Sequence, residues 1–201
     1  MFTNFRQRLG IGLAVLFLGA AGAHGQGPGQ GAAPVEVSVG YSYVRANAPP
    51  GGCGCFSMNG LSGGFAALLG HNISAVADVG SYFQHNVDNS GRNLRIETLL
   101  VGPRYSWSKW AKWTPYAQGL FGGALGSGTL YGPDAATSGN ASGFAMSAGG
   151  GLNWNVTQHV SIRLFQAEYL MTRLPNSINN YQNNIRITAG VVFRIGQPRG
   201  H

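Results

Sequence analysis

The sequence predicts an all-β chain, an eight-stranded antiparallel transmembrane β-barrel of up-and-down topology, and three observations carry that prediction. The segment Ile185 to Gly196 alternates: Ile185, Ile187, Ala189, Val191, Phe193 and Ile195 share one parity, and Arg186, Thr188, Gly190, Val192 and Arg194 the other. Such a strand has one apolar and one largely polar face. Charged residues make up only 9% of the chain and just two lysines occur, Lys109 and Lys112, whereas a soluble domain carries about 25% charged residues. A water-facing surface needs more Lys and Glu than this; a lipid-facing one must lack them. Finally, beyond its first residues the chain holds no apolar run near the ~20 residues of a membrane helix, so a membrane-embedded state must be a barrel.

Taken from the N-terminus, Arg6 and Arg8 precede the apolar run Ile11 to Ala20, which ends in Ala21-Gly22-Ala23 before His24. This three-part pattern reads as a secretory signal peptide over residues 1–23, cleaved after Ala23. A membrane anchor is the weaker reading, because the run is short for a bilayer. Residues 24–34, His-Gly-Gln-Gly-Pro-Gly-Gln-Gly-Ala-Ala-Pro, read as a flexible linker. The barrel is then expected over 35–196, with a tail at 197–201.

Eight segments of strand length follow: Val35 to Arg45, Met58 to Leu69, Ile73 to Gln84, Leu94 to Tyr105, Pro115 to Leu125, Ser142 to Trp154, Val160 to Met171 and Asn184 to Gly196. All suit a tilted membrane-crossing strand better than the five or six residues usual in soluble sheets. Strand one sends Val35, Val37, Val39, Tyr41 and Tyr43 to lipid and Glu36, Ser38, Gly40 and Ser42 inside. Strands three, four and five are read with Asp78, Glu97 and Gln118 inward. Strand six sends Phe144, Met146, Ala148, Gly150 and Leu152 out and Ser147, Gly149, Gly151 and Asn153 in. Strand seven conflicts with itself, since Arg163 falls on the opposite parity from Gln166 and Glu168; a bulge, or a polar group at an interface, resolves it. Strand eight places Arg186 and Arg194 inward.

The connections alternate in length. Gly70 to Asn72, Ser106 to Thr114 and Asn155 to His159 are the shorter turns, whereas Ala46 to Ser57, His85 to Asn93, Gly126 to Ala141 and Thr172 to Asn183 are mostly longer and polar. Short periplasmic turns, long outer loops and both termini in the periplasm are the outer-membrane pattern. Aromatics fall where interfaces should lie: Tyr41, Tyr43, Phe83 and Tyr169 near loop ends, and Trp107, Trp110, Trp113 and Trp154 near turn ends. Ordinary core aromatics are the alternative.

Several stretches, in order, resemble the small eight-stranded outer-membrane β-barrel proteins, the OmpA/OmpX-type, porin-like family of stand-alone barrels. They are Gly40-Tyr41-Ser42-Tyr43, Val76-Ala77-Asp78, Val101-Gly102-Pro103-Arg104-Tyr105, Gly149-Gly150-Gly151-Leu152, Gln166-Ala167-Glu168-Tyr169-Leu170, Asn184-Ile185-Arg186 and Gly190-Val191-Val192-Phe193-Arg194. The resemblance implies a location and an architecture rather than a reaction: outer-membrane lipid around the wall, and barrel-assembly machinery during insertion. No peptidoglycan-binding domain is expected after the last strand, because the sequence ends at His201.

Eight strands enclose a space that side chains fill, so a wide pore is not expected. Glu36, Asp78, Glu97, Gln118, Glu168, Arg186 and Arg194 form the expected interior polar network, because buried charges persist when paired; a narrow ion path is the alternative. Barrel closure should bring Glu36 to Arg194, and the hairpin register should set Glu168 opposite Arg186. Cys53 and Cys55 suggest a disulfide in an oxidising compartment, with a redox or metal role as the alternative for so tight a ring. His159-Val160-Ser161 has the His-x-Ser spacing of outer-membrane lipid deacylases, in which base and nucleophile must meet, but it lies at the wrong end to meet outer-leaflet lipid. His71 reads as a turn residue. Removing the signal leaves a formal charge of about +5, with arginines scattered singly along strands rather than clustered as nucleic-acid binding requires. No catalytic, metal or cofactor site is expected, and the ligand of the outer loops is left open. The candidate roles are therefore a structural or surface-interaction barrel, a small-solute channel and a lipid-modifying enzyme. A soluble lipocalin-type barrel is the alternative fold; it would turn the arginine-bearing face outward.

Overall fold

The computed structural model describes residues 35–46, 56–70, 72–87, 90–107, 112–133, 136–175 and 180–196. The signal peptide 1–23, the linker 24–34, the tail 197–201, Cys53, Cys55, His71 and Trp110 lie outside the described residues. Eight strands close into one barrel in chain order: β1 Val35–Ala46, β2 Phe56–Gly70, β3 Ile73–Gln84, β4 Leu94–Ser106, β5 Trp113–Gly128, β6 Gly139–Asn155, β7 Val160–Thr172 and β8 Gln182–Ile195. Every neighbour pair is antiparallel, and the seam between β1 and β8 runs in unbroken register from Val35↔Ile195 to Ala46↔Asn184. Closure leaves no unpaired edge, which a strand surrounded by lipid could not tolerate. The end that carries Val35, Ile195 and three of the connections is called the turn end below, and the opposite one, with four connections, the loop end.

β7 contains the bulge that its conflicting parity required. Arg163 pairs with Gly190 and Gln166 with Thr188, so an extra residue is accommodated at Leu164-Phe165. Both of those side chains point outward, 41% and 47% exposed. The extra residue flips the alternation, and Arg163 turns inward together with Gln166 and Glu168.

At the loop end the strands run longer than hydrocarbon demands. β5 and β6 have 16 and 17 residues, whereas a tilted strand crosses with about 9–11. Their hairpin stays in register up to Gly128↔Gly139, so the loop expected over Gly126 to Ala141 shortens to 129–138.

Over this extra length the interior turns apolar, and polar and charged groups join Tyr43, Phe83 and Ile185 on the exterior. The interior here holds Val44, Met58, Tyr82, Leu94, Ile96, Leu120, Ala145 and Leu170, all buried. The exterior here holds Arg45, Ser57, Asn59, Ser81, Arg95, Asn140 and Asn183. Below it, toward the turn end, the pattern is apolar outside and polar inside. The barrel thus has two storeys: one built for lipid around it, the other built like a small water-soluble barrel.

Candidate functional site: the barrel interior and its raised rim

The upper storey is a plug. Val44, Tyr82, Leu100 and Leu174 are fully buried, and Met58 and Leu170 nearly so. The connections close over it: Val87 follows β3, Leu174 follows β7, and Leu130 and Tyr131 pack onto the same cluster from the short 3-10 turn Thr129–Tyr131. Arg92 ties two connections together through Nη1 bonds of 3.4 Å to the carbonyls of Thr129 and Gly132. Burial of Tyr131 pushes its hydroxyl pKa up to about 12.

Beneath the plug the lumen is filled by a chain of charge-assisted bonds centred on Arg186. Its Nη1 donates to Asp78 Oδ1 and to the Tyr82 hydroxyl, both at 2.7 Å, and its Nε donates to Glu168 Oε2 at 2.7 Å. Nη2 donates to the same Glu168 oxygen. Glu168 also accepts from Gln118 Nε2 at 2.7 Å and from Gln166 Nε2 at 2.9 Å. Gln118 passes the chain on by accepting from Arg104 Nε at 2.8 Å. Arg104 Nη1 reaches Glu36 Oε2 at 3.3 Å, and Arg194 Nε donates to Glu36 Oε1 at 2.9 Å. The Arg186 and Glu168 side chains are fully buried, while Glu36 and Arg194, at the turn-end mouth, are 26% and 20% exposed.

Inward glycines make room for this packing. A Cβ at Gly80 would collide with the Tyr82 hydroxyl. One at Gly151 would stand 2.7 Å from the Tyr116 hydroxyl, which donates to Gln166 Oε1 at 2.6 Å.

Of the interior residues expected from the sequence, Glu36, Asp78, Gln118, Glu168, Arg186 and Arg194 are brought into this one network. Glu36 pairs in register with Arg194, and Glu168 with Arg186. Glu97 is a correction: it points outward, 41% exposed, and pairs with Arg95 at 2.7 Å on the rim. In β4 the buried set is Leu94, Ile96, Thr98, Leu100 and Arg104, opposite in parity to Glu97. Arg104, Tyr82, Tyr116, Arg163 and Gln166 also line the network, although none was expected there from the sequence. Arg104 had a signal, because residues 97 and 104 of one regular strand cannot both face inward.

The arrangement holds its groups rather than freeing them to react. Ser161 is buried and donates its hydroxyl to Asn155 Oδ1 at 3.0 Å, while His159 sits exposed in the turn before it. Among the described residues no group of three or more His, Cys, Asp or Glu side chains is placed to hold a metal ion.

On the outside, tyrosines mark the boundary between the storeys. Tyr41 donates its hydroxyl to Asn59 Oδ1 at 2.7 Å and Tyr169 to Asn183 Oδ1 at 2.6 Å, and the Tyr43 hydroxyl lies 2.6 Å from Ser57 Oγ. Trp113 and Trp154 stack at 6.2 Å near the turn end, with Trp107 against Tyr105 at 4.9 Å. All of these rings are exposed, as girdle residues are and core aromatics are not. Apolar band, two aromatic belts and filled lumen together decide the class. The chain has the fold of the small eight-stranded outer-membrane β-barrels.

Solved structures share this outer-membrane-barrel fold at low identity. Ail, the attachment invasion locus protein of Yersinia pestis, superposes with a TM-score of 0.58 at 14% identity, over 82% of this chain and 99% of its own. Neisserial surface protein A gives 0.55 at 15%, over 80% and 96%. The N-terminal β-barrel domain of Pseudomonas aeruginosa OprF gives 0.50 at 16%, over 83% and 100%. No family model and no curated protein matches the sequence.

Proposed function

We propose that this chain is an integral outer-membrane protein whose barrel is closed to solutes and serves as a rigid mount for a raised, loop-bearing rim that makes surface contacts. The plug under the loop end carries this reading: a lumen whose upper storey is lined by Val44, Tyr82, Leu100, Leu170 and Leu174, fully or almost fully buried, offers an ion no hydration. The network beneath supports it, because every carboxylate there is tied to an arginine. The rim, lifted by strands longer than the membrane requires, is the surface a partner would meet. Its four connections and the arginines Arg45, Arg92, Arg95 and Arg173 stand at that end.

In this reading both termini lie in the periplasm, outer-membrane lipid surrounds the apolar band, and the barrel-assembly machinery inserts the chain. The neighbour Ail is by its name an attachment and invasion protein; at 14% identity that likeness supports the class of role and not a partner. The deciding measurement is planar-bilayer conductance of the refolded chain, paired with labelling of single cysteines in intact cells. The reading expects no steady conductance above the lipid leak, with label at residue 92 and none at residue 157. Discrete channel openings would replace it with the narrow-channel alternative.

A further inference from the structure

Counted by charge, the lumen does not balance. Among the described residues it holds three carboxylates, Glu36, Asp78 and Glu168, against four guanidiniums, Arg104, Arg163, Arg186 and Arg194. Arg186 takes Asp78 and Glu168, and Glu36 serves Arg104 and Arg194. Arg163 is left over. It is 5% exposed, its Nε reaches only the neutral Asn153 Oδ1 at 3.4 Å, and its Nη2 is buried with no hydrogen-bond partner among the described residues. Its guanidinium lies over the Tyr116 ring at 5.3 Å, and that of Arg104 over the same ring at 4.5 Å. One aromatic ring thus carries two buried cations, and its quadrupole attraction does not replace a counter-charge.

A buried, unpaired charge is among the costliest groups a fold can hold. Nothing in the strand pattern compels it, since Asn153 lies directly opposite Arg163 in register and Asp at that place would have neutralised it. The bulge at Leu164-Phe165 turns Arg163 inward without supplying a partner.

We propose that the turn-end half of the lumen binds one small monovalent anion, chloride in kind, against Arg163 Nη2 and the Arg104 guanidinium beside Tyr116. The stoichiometry follows from the count, which leaves one excess positive charge. Access is from the turn-end mouth, where Glu36 and Arg194 are the partly exposed groups; the plug closes the other end. The anion is an internal counter-ion and is not transported, so the proposal stands apart from the surface role above.

The test is urea unfolding of the full chain refolded in lipid bilayers, in sodium chloride against sodium gluconate at one ionic strength, gluconate being too bulky to enter. The unfolding midpoint is expected to rise with chloride concentration and level off, with bromide acting alike. In Arg163→Met, and independently in Asn153→Asp, which places a carboxylate where the anion would act, the chloride dependence should vanish. Equal midpoints in chloride and gluconate for the unaltered chain would overturn the proposal in favour of a water on Nη2. A chloride effect that persists undiminished in both variants would overturn it in favour of general salt effects.

Discussion

At the scale of the residue, Arg186 organises the lumen. It bridges two carboxylates on strands far apart in the chain, so removing either acid leaves a buried cation half-compensated. Glu168→Ala should destabilise the barrel by roughly 3–5 kcal/mol, the usual cost of breaking a buried pair. Arg186→Met should cost as much or more, because Asp78 and Glu168 would then face each other without a cation. The double variant should lose less than the sum; a double-mutant cycle by urea unfolding in bilayers measures this, and additive losses would mean the contact carries no coupling. Glu97→Ala makes the contrast. Its rim pair with Arg95 is exposed to water, so a change of no more than about 0.5 kcal/mol is expected. Tyr131 gives a test by pH. Its hydroxyl titrates near 12 in the folded cap against about 10 when exposed, so the stability it lends is whole below pH 10 and drains away as pH rises toward 12. Hydrogen exchange at residues 129–132 should quicken over that window by more than base catalysis of exchange alone gives, and Tyr131→Phe should remove that excess.

At the scale of the element, most of the fold was legible because alternation is a strong signal where one face meets lipid. All eight strands lie where the sequence set them, and the Glu36–Arg194 and Glu168–Arg186 registers follow from closure and from hairpin arithmetic. What was missed has one physical cause. The rule of apolar outside and polar inside holds only over the hydrocarbon, and strands that rise past it reverse the rule; Glu97, on the rising part of β4, was therefore assigned the wrong face. The plug was missed for the same reason. The bulge in β7 was legible as a conflict but not in position, since Leu164 and Phe165 look like any apolar pair until the partners' registers are known. Two expectations test the element. Val191 pairs with Val39 and Ile162 on the lipid-facing parity, so Val191→Arg near mid-membrane should cost about 2–4 kcal/mol and reduce the yield of folding into bilayers. Deleting Phe165 should remove the bulge, turn the residues of β7 before it to the wrong face and abolish folding, whereas Phe165→Leu should fold.

For the whole molecule, the two aromatic belts fix its depth in a bilayer. Trp107, Trp113 and Trp154 gather near the turn end, so lipids brominated near the head group should quench tryptophan emission more strongly than lipids brominated at the chain ends. Stronger quenching from the chain ends would mean that the apolar band is not centred on the bilayer.

The reversal of polarity between storeys bears on how the protein comes to be where it is. If the chain enters from the side that keeps its termini, the rim must be pushed through hydrocarbon with Arg45, Arg95 and Glu97 on its outer face. Each of the two arginines at mid-membrane opposes that passage by about 2–4 kcal/mol, and the glutamate by less, and each opposes the return by as much. Once the rim has emerged and been wetted, those same groups make the way back as steep as the way in. The rim then acts as a barb, and the finished barrel is held in its membrane by a rate as well as by an equilibrium.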